Sequence, residues 1–266
     1  MKNIQLKDTD KQYLFSDRGA ESVIYLYGDN KEVLLKYFRD EDENKAQVKR
    51  DMIDGEIPRK TLIIPKEDLK IKEKKVHIIP NKKSLEDEVQ VLDAIYNGKD
   101  FKGYTMKREH LKYMDVLPGS LKEHFTIRKR KIAYLKLIRD KIEKLNADGI
   151  FIGDFNEKNF LTDKDVSIVK LCDLDNLKIN DLSWDTEHKF VQTYKKSDAN
   201  IDYVDSYAFN LFTLAFLNKI DLGWFNLYDV KSLPKELNTK ENEEILESLK
   251  NLNSSYQPKY LIDNLR

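Results

Sequence analysis

The stretch "GIFIGDFNEKNFLTD" places a carboxylate and a carboxamide close together in a polar loop that follows two glycines. Asp154 comes directly after Gly153, and Asn159 stands five residues later, ahead of an apolar run. Asp173 follows 19 residues after Asp154, inside "LCDLDN". An aspartate and an asparagine at this spacing occur where a protein holds a catalytic carboxylate and a magnesium ligand on one rigid loop. These residue types therefore indicate chemistry on a metal-bound phosphate.

Transfer of a phosphoryl group from ATP needs several groups at once. The phosphates need a backbone cradle and a lysine, the metal needs one or two ligands, and the acceptor hydroxyl needs a carboxylate that faces it. The sequence supplies such groups in a consistent order. Lys36 lies in "VLLKYF", a strand-like run, and the three polar residues Asp154, Asn159 and Asp173 follow.

The amino-terminal third reads as a mostly antiparallel sheet with at least one helix. A hairpin turn is expected at Gly28-Asp29-Asn30, and a second hairpin is expected at Asn97-Gly98 within "EVQVLDAIYNGKDFKGYTMK". The segment that starts at Pro65 predicts a helix through its apolar residues Leu69, Val76 and Ile79. Period-two and apolar runs predict strands over residues 12–15, 23–27 and 33–38.

After Lys107 the pattern changes to that of helices. "VDSYAFNLFTLAFL" is apolar on every side and predicts a buried helix, while residues 239–252 predict a last surface helix. A further amphipathic helix should end at Gly149, because apolar residues recur at helical spacing before it: Ile132, Leu135, Ile138, Ile142 and Leu145. We therefore expect a β-rich lobe followed by a helical lobe.

These motifs together resemble those of the protein-kinase-like superfamily. "IEKLNADGIFIGDFNEKNFL" resembles the helix end and catalytic loop of kinases, and "KLCDLDN" is similar to their metal-binding D-F-G segment. "DRGAESVIYLY" resembles the glycine-rich loop and the strand after it, and "VDSYAFNLF" resembles the buried helix that opens D-x-W-S-x-G. The resemblance covers about residues 11–220. It implies one α+β domain with a bilobal kinase-like fold, a β-rich N-lobe over 1–106 and a helical C-lobe over 107–266.

The resemblance also assigns roles to the residues of the carboxy-terminal half. Asp154 takes the position of the catalytic aspartate, which orients the substrate hydroxyl and accepts its proton. Asn159 and Asp173 take the positions of the magnesium ligands. Asp205 falls where a carboxylate braces the backbone of the catalytic loop.

For the amino-terminal half, the resemblance implies a nucleotide site in the cleft between the lobes. Lys36 would hold the phosphates of ATP, with Glu73 as the candidate ion-pair partner. Gly19 and Ser22 fall on the second and third glycines of the glycine-rich loop. The hinge would run through Met106, Lys107 and Arg108.

Departures from the kinase pattern bear on the substrate. Ile152-Gly153 replaces the usual His-Arg pair, so an activation loop controlled by phosphorylation would lack its usual receptor. Asn156 stands where Ser/Thr kinases place a lysine, and Asp175 replaces the last residue of D-F-G. The motifs are closer to atypical bacterial or phage-type protein kinases and to aminoglycoside or choline phosphotransferases. We therefore expect a magnesium- and ATP-dependent kinase, first a serine/threonine protein kinase and alternatively a small-molecule kinase or a nucleotide-binding pseudokinase.

The residues also have structural interpretations. Asp154 and Asn159 could be turn and cap residues, since Asp and Asn favour such positions. Lys36 could be an ordinary strand lysine, and Glu73 could be a solvated charge. The basic run Arg128-Lys129-Arg130-Lys131 is expected to begin a solvated helix face. Cys172 is expected to belong to the core.

Composition narrows the class of protein and of partner. The 266 residues carry 47 basic and 47 acidic side chains, so no net charge attracts nucleic acid or a membrane. The single cysteine excludes an internal disulfide. The amino terminus lacks the apolar core of a signal peptide, and no apolar run approaches the ~18 residues that span a bilayer. We expect a cytoplasmic enzyme that acts on a hydroxyl group of a protein or a small molecule.

Overall fold

The computed structural model describes most of the chain: residues 3–7, 13–16, 22–28, 32–38, 60–64, 76–80, 85, 87–89, 91–112, 124–153, 155–172, 174, 177–179, 194–218 and 233–266. The chain divides into two compact units, Met1–His110 and Leu111–Arg266. The sequence had placed the division at 106/107, inside a strand. The later boundary has a local cause, because Arg108 N–H donates to the Glu32 carbonyl at 2.7 Å and His110 Nε2 lies 3.0 Å from the Glu32 carboxylate.

The first unit is built on a six-stranded sheet. Its strands are β1 (Asn3–Gln5), β2 (Tyr13–Ser16), β3 (Ser22–Leu26), β4 (Val33–Phe38), β7 (Val91–Asn97) and β8 (Asp100–Lys107). They lie side by side in the order β1-β7-β8-β4-β3-β2. Neighbouring strands are antiparallel, except that β1 pairs with β7 in parallel.

The predicted strands and both predicted hairpins of this unit are present. The strands lie within one residue of the predicted bounds, and β4 matches them at both ends. β7 and β8 are joined at Asn97-Gly98, where Gly98 has a φ of +61° that a glycine adopts without strain. Gly28, at the start of the β3–β4 turn, has a φ of +63° for the same reason.

The helix predicted over residues 65–79 is wrong for its last four residues, 76–79, the part that the structure describes. Val76 and Ile79 belong to a strand, β6 (Val76–Pro80), which pairs in parallel with β5 (Lys60–Ile64). The apolar run "VHII" is rich in β-branched residues, which favour a strand over a helix. Leu69 lies outside the described residues.

The first strand of the chain closes one edge of the sheet. The Gln5 side chain bonds both backbone groups of Gly98, accepting from its N–H at 3.0 Å and donating to its carbonyl at 3.2 Å. Ile4 and Leu6 pack against the buried residues Leu35 and Ile95. The short β1 therefore stays paired through a side-chain amide and apolar burial.

The second unit contains three long helices and two short antiparallel strand pairs in its described part. The helices are α1 (His124–Ala147), α2 (Val204–Asn218) and α3 (Lys240–Lys250). The strands are β9 (Ile150–Phe151), β10 (Phe160–Thr162), β11 (Val169–Leu171) and β12 (Lys178–Ile179), paired as β9–β12 and β10–β11. No helix among the described residues is long and apolar enough to cross a membrane.

The three helices confirm the sequence predictions. The five apolar residues predicted for one face of α1 are all buried, and residues 204–216 of α2 are buried on every side. The chain end packs onto α2, because the Asn210 side chain donates to the Lys259 carbonyl at 2.8 Å and accepts from Leu261 N–H at 2.9 Å. Arg139 on α1 pairs with Asp263. The buried Asn210 amide and the Arg139–Asp263 ion pair thus help to hold the carboxy-terminal segment in place.

A glycine in β8 allows the sheet to close beside Lys36. Gly103 pairs with Tyr37, and a Cβ added there would collide with the Lys36 carbonyl oxygen and lie 3.1 Å from Tyr37 Cα. We therefore expect Gly103→Ala to lower the free energy of unfolding by ~3 kcal/mol or more, because the two strands must separate to relieve the collision. Urea unfolding measures this loss.

Gly98→Ala is the matched control, because Gly98 has open space around its Cβ position and its cost is limited to a left-handed backbone. That cost is ~1–2 kcal/mol. Equal or smaller loss at Gly103 would contradict the proposed collision.

Candidate functional site

Two strand pairs frame the loop that carries Asp154. Phe151 of β9 pairs with Lys178 of β12, and Phe160 of β10 pairs with Leu171 of β11. The pairing of β10 with β11 extends to the next residue on each strand, because Cys172 N–H donates to the Asn159 carbonyl at 3.0 Å. The segment from 152 to 159 and the segment from 172 to 177 therefore each connect one strand pair to the other.

The two glycines ahead of Asp154 both have left-handed backbones. Gly149 has a φ of +71° and Gly153 a φ of +68°. L-residues with a Cβ adopt this region at a cost of ~1 kcal/mol or more, so glycine is favoured at both positions. Gly149 ends α1, and its N–H donates to the Asn146 carbonyl at 2.9 Å. Gly153 turns the chain directly before the predicted catalytic residue.

A buried carboxylate holds the backbone on the amino-terminal side of Asp154. Asp205, on the first turn of α2, is 0% exposed. Its Oδ2 accepts from Ile152 N–H at 2.8 Å, and its Oδ1 accepts from Gly153 N–H at 3.2 Å. This confirms the prediction that Asp205 braces the backbone of this loop.

Burial sets the charge state of Asp205. Removal from water raises its pKa to about 7, against the lowering effect of the Ile152 and Gly153 N–H groups and of the Lys178 charge. The carboxyl therefore changes charge near neutral pH, which an exposed aspartate does not do.

An aromatic ring anchors the other side of Asp154. Phe155 is 1% exposed, and its ring centroid lies 6.0 Å from that of Phe160, 6.4 Å from Phe209 and 6.2 Å from Phe212. Such clusters pack at interior density and tolerate little displacement. Residues 153 and 155 are thus both anchored. The anchoring role of Phe155 was not predicted, since an aromatic residue in a loop motif carries no signal beyond burial.

The carboxamides of the loop have different positions. Asn156 caps a one-turn 3₁₀ helix, Glu157–Asn159, by accepting from Lys158 N–H at 3.0 Å. Asn159 is 8% exposed, and both of its backbone groups are bonded, the N–H to the Asn156 carbonyl. Asn156 therefore has a local structural function where the kinase pattern has a lysine, while Asn159 is held on a fixed backbone.

Lys36 lies on β4, one of the two central strands of the first unit's sheet. It is 7% exposed and pairs across the sheet with Ile24 on β3 and Tyr104 on β8. Its Nζ lies 5.5 Å from the centroid of the Phe38 ring and 5.8 Å from that of Tyr104. Such contacts favour a cation over an aromatic face. The Lys36 ammonium group thus lies beside two aromatic rings and is largely removed from water.

The other predicted nucleotide residues of the first unit are only partly described. Ser22 is buried at the start of β3, opposite Phe38, and Met106 and Lys107 are the last two residues of β8. Arg108 follows β8. The described residues do not include Gly19 and Glu73 of the first unit, nor three aspartates of the second unit, Asp154, Asp173 and Asp175.

Asn159 is the predicted magnesium ligand whose position the structure describes. Its side chain is a carboxamide, and the amide oxygen is a suitable ligand for magnesium. Within the described ranges, no group of three or more His, Cys, Asp or Glu side chains could hold a metal ion.

The basic run on α1 is partly bonded within the second unit. Arg130 donates to the Lys164 carbonyl. Lys131 donates to the Phe216 carbonyl at 3.0 Å, and its Nζ lies 4.7 Å from the Phe216 ring centroid. Cys172, predicted from the sequence to belong to the core, is instead half-buried, and its thiol lies 3.3 Å from the Lys158 carbonyl. These contacts give Arg130, Lys131 and Cys172 structural functions.

Comparison with known proteins gives no independent assignment. The chain matches no model of a protein family. It also has no significant sequence match among curated proteins.

The buried Asp205 should make stability depend on pH. Its pKa is about 7 in the folded chain, above the unfolded value of about 3.9, so the folded state binds the extra proton between these values. The stabilisation is complete below about pH 4 and is lost as the pH rises through about 7. Relative to Asp205→Asn, the parent should lose up to ~1.4 kcal/mol of unfolding free energy per pH unit within this window.

Urea unfolding at pH 5, 6, 7 and 8 measures the difference between the parent and Asp205→Asn. Asp202→Asn, at an exposed aspartate just ahead of α2, is the control and should follow the parent. A parent and an Asp205→Asn variant with parallel pH dependence would show that Asp205 keeps an ordinary pKa.

Proposed function

We propose that the protein is a magnesium- and ATP-dependent phosphotransferase with a kinase-like, two-lobed fold. The observation that carries the proposal is the bonding of Asp205 to Ile152 and Gly153, directly ahead of Asp154. A turn residue on a surface loop needs no buried carboxylate to fix its neighbours, whereas a catalytic carboxylate needs a fixed position. Phe155 supports the same interpretation, since it anchors the chain on the other side.

The first unit supports the proposal through the position of Lys36. Protein kinases carry their phosphate-binding lysine on the third strand of the sheet, after a glycine-rich turn between the first two. Here Lys36 lies on β4, the third strand of the meander β2-β3-β4, and Gly19 falls in the sequence between β2 and β3. The Lys36 side chain is only 7% exposed, and water screens the attraction between a charge and an anionic group less in such a position than at the surface.

The residues would divide the reaction between them. Lys36 would bind the nucleotide phosphates, and Asn159 and Asp173 would hold magnesium, which neutralises charge on the phosphates. Asp154 would orient the acceptor hydroxyl and take its proton as the bond to phosphorus forms. Asp205 and Phe155 would hold Asp154 in place without contacting the substrate.

The acceptor is proposed as a hydroxyl group, first of a serine or threonine in a protein. Ser/Thr kinases have a lysine at the position of Asn156 that neutralises the transferred phosphate, whereas Asn156 caps its own turn. Because of this departure, a small-molecule hydroxyl is the second candidate. Labelled ATP with casein-like protein and, separately, with an aminoglycoside panel distinguishes the two.

Asp154→Asn should separate an enzyme from a binding module. The variant keeps a polar side chain of similar size, so fold and ATP affinity should remain within a few-fold of the parent. Loss of the proton acceptor should slow phosphate transfer or ATP hydrolysis by ~10²–10⁴. Steady-state turnover, melting temperature and calorimetric ATP affinity measure the three properties.

Asp165→Asn is the matched control, since Asp165 is an exposed aspartate in the turn after β10. It should keep parent activity. Unchanged turnover in Asp154→Asn would make Asp154 a turn residue. A parent that bound ATP without turnover on any acceptor would favour the pseudokinase interpretation.

Lys36→Met tests the phosphate-binding role. Methionine keeps an unbranched apolar stem in the buried position, so the sheet should remain folded while the charge is lost. We expect KM for ATP to rise and kcat to fall, each by about tenfold or more, because the phosphates lose a charged donor. Lys99→Met, at an exposed lysine of the β7–β8 turn, should change neither constant. Parent kinetics in Lys36→Met would remove Lys36 from the site.

A further inference from the structure

The last turn of α1 places a carboxamide beside the buried carboxylate. With its nitrogen toward the neighbouring acceptors, the amide of Asn146 donates to Asp205 Oδ2 and to the Ile150 carbonyl, each at 2.9 Å. The orientation follows from these neighbours, since the reverse one would set oxygen against oxygen. Both N–H groups of the amide are then used.

The two bonds connect Asn146 to the same segment that Asp205 holds. Asn146 bonds the carbonyl of Ile150, and Asp205 bonds the N–H groups of Ile152 and Gly153. The backbone from 150 to 153 is therefore fixed by two side chains, one from α1 and one from α2. These side chains are also bonded to each other.

The chemistry of this position favours asparagine. Two N–H groups on one side chain are needed to reach two acceptors, and an asparagine amide supplies them on a short stem. An aspartate would place a second negative charge against Asp205, and a leucine would leave both acceptors with one bond fewer.

We propose that Asn146 is a positioning residue for the phosphotransfer: it orients the Asp205 carboxylate and the 150–153 backbone, and through them Asp154. The proposal rests on the proposed function. Asn146 touches neither the nucleotide nor the acceptor, and its effect passes through the bonds to Asp205 and Ile150.

The charges around Asp205 make this role measurable. Lys178 on β12 supplies a positive charge that lowers the pKa of Asp205, whereas burial raises it to about 7. Tyr260, from the carboxy-terminal segment, also faces this region, and burial together with the charges of Glu143 and Asp205 raises the pKa of its phenol. A donor from Asn146 favours the ionised carboxylate, so its removal raises the pKa of Asp205 further.

Asn146→Leu removes both donors at similar size. We expect kcat to fall by ~10–100-fold with KM for ATP within about threefold, because the loop is displaced while nucleotide binding remains. The acid limb of the kcat–pH profile should move up by about one unit, since Asp205 ionises later. A purely structural role would not move this limb.

Asn218→Leu is the matched control, because Asn218 also lies on a last helical turn and bonds a carbonyl, that of Leu214, at 2.6 Å. It should keep the parent profile. Amide hydrogen exchange gives a readout that does not depend on activity: the N–H groups of Ile152 and Gly153 should exchange at least about tenfold faster in Asn146→Leu.

The outcomes separate this proposal from the proposed function. Unchanged exchange at Ile152 and Gly153, or a fall in kcat with an unmoved acid limb, overturns the positioning role even in an active enzyme. A parent that turns over no ATP overturns the proposed function. Faster exchange in Asn146→Leu would then leave Asn146 as a structural clamp, and its positioning role in catalysis would be overturned as well.

Discussion

The second unit depends on one interaction, the acceptance of two backbone N–H groups by the fully buried carboxylate of Asp205. A buried carboxylate is costly unless donors surround it, and here the donors are the backbone of the loop that precedes Asp154. The loop N–H groups therefore stabilise the buried carboxylate, and the carboxylate in turn fixes the loop backbone. The interaction ties the loop to α2, a helix that is buried along nearly its whole length.

The neighbouring residues follow from this constraint. Gly149 and Gly153 supply the left-handed backbone that brings the N–H groups toward the carboxylate. Phe155 returns the chain to the core, where it packs on Phe209 and Phe212 of the same helix. The loop is thus anchored twice on α2, once by hydrogen bonds and once by aromatic packing. The residues on both sides of Asp154 are therefore anchored, as the catalytic role proposed for Asp154 would require.

In the first unit the corresponding constraint is the close approach of two strands at Lys36. Gly103 lets β8 lie against the Lys36 backbone, and the lysine side chain extends over aromatic rings rather than into water. The two units thus each contain an ionisable side chain that is largely removed from water, Lys36 in the first and Asp205 in the second. This arrangement costs stability, and functional sites commonly carry such a cost.

The sequence by itself was enough to predict the long helices, the β7–β8 hairpin and the bracing position of Asp205. Helical spacing predicted α1, and an apolar run predicted the buried α2. Asn97-Gly98 predicted the β7–β8 hairpin, and the resemblance of the α2 sequence to a kinase helix predicted the role of Asp205, because each signal lies within one short window. Only the tertiary structure decided that residues 76–80 form a strand, that the two-residue strands β9 and β12 pair, and that Asn146 meets Asp205. Two-residue strands have no period to detect, and Asn146 and Asp205 lie far apart in sequence, so their contact exists only once the helices pack.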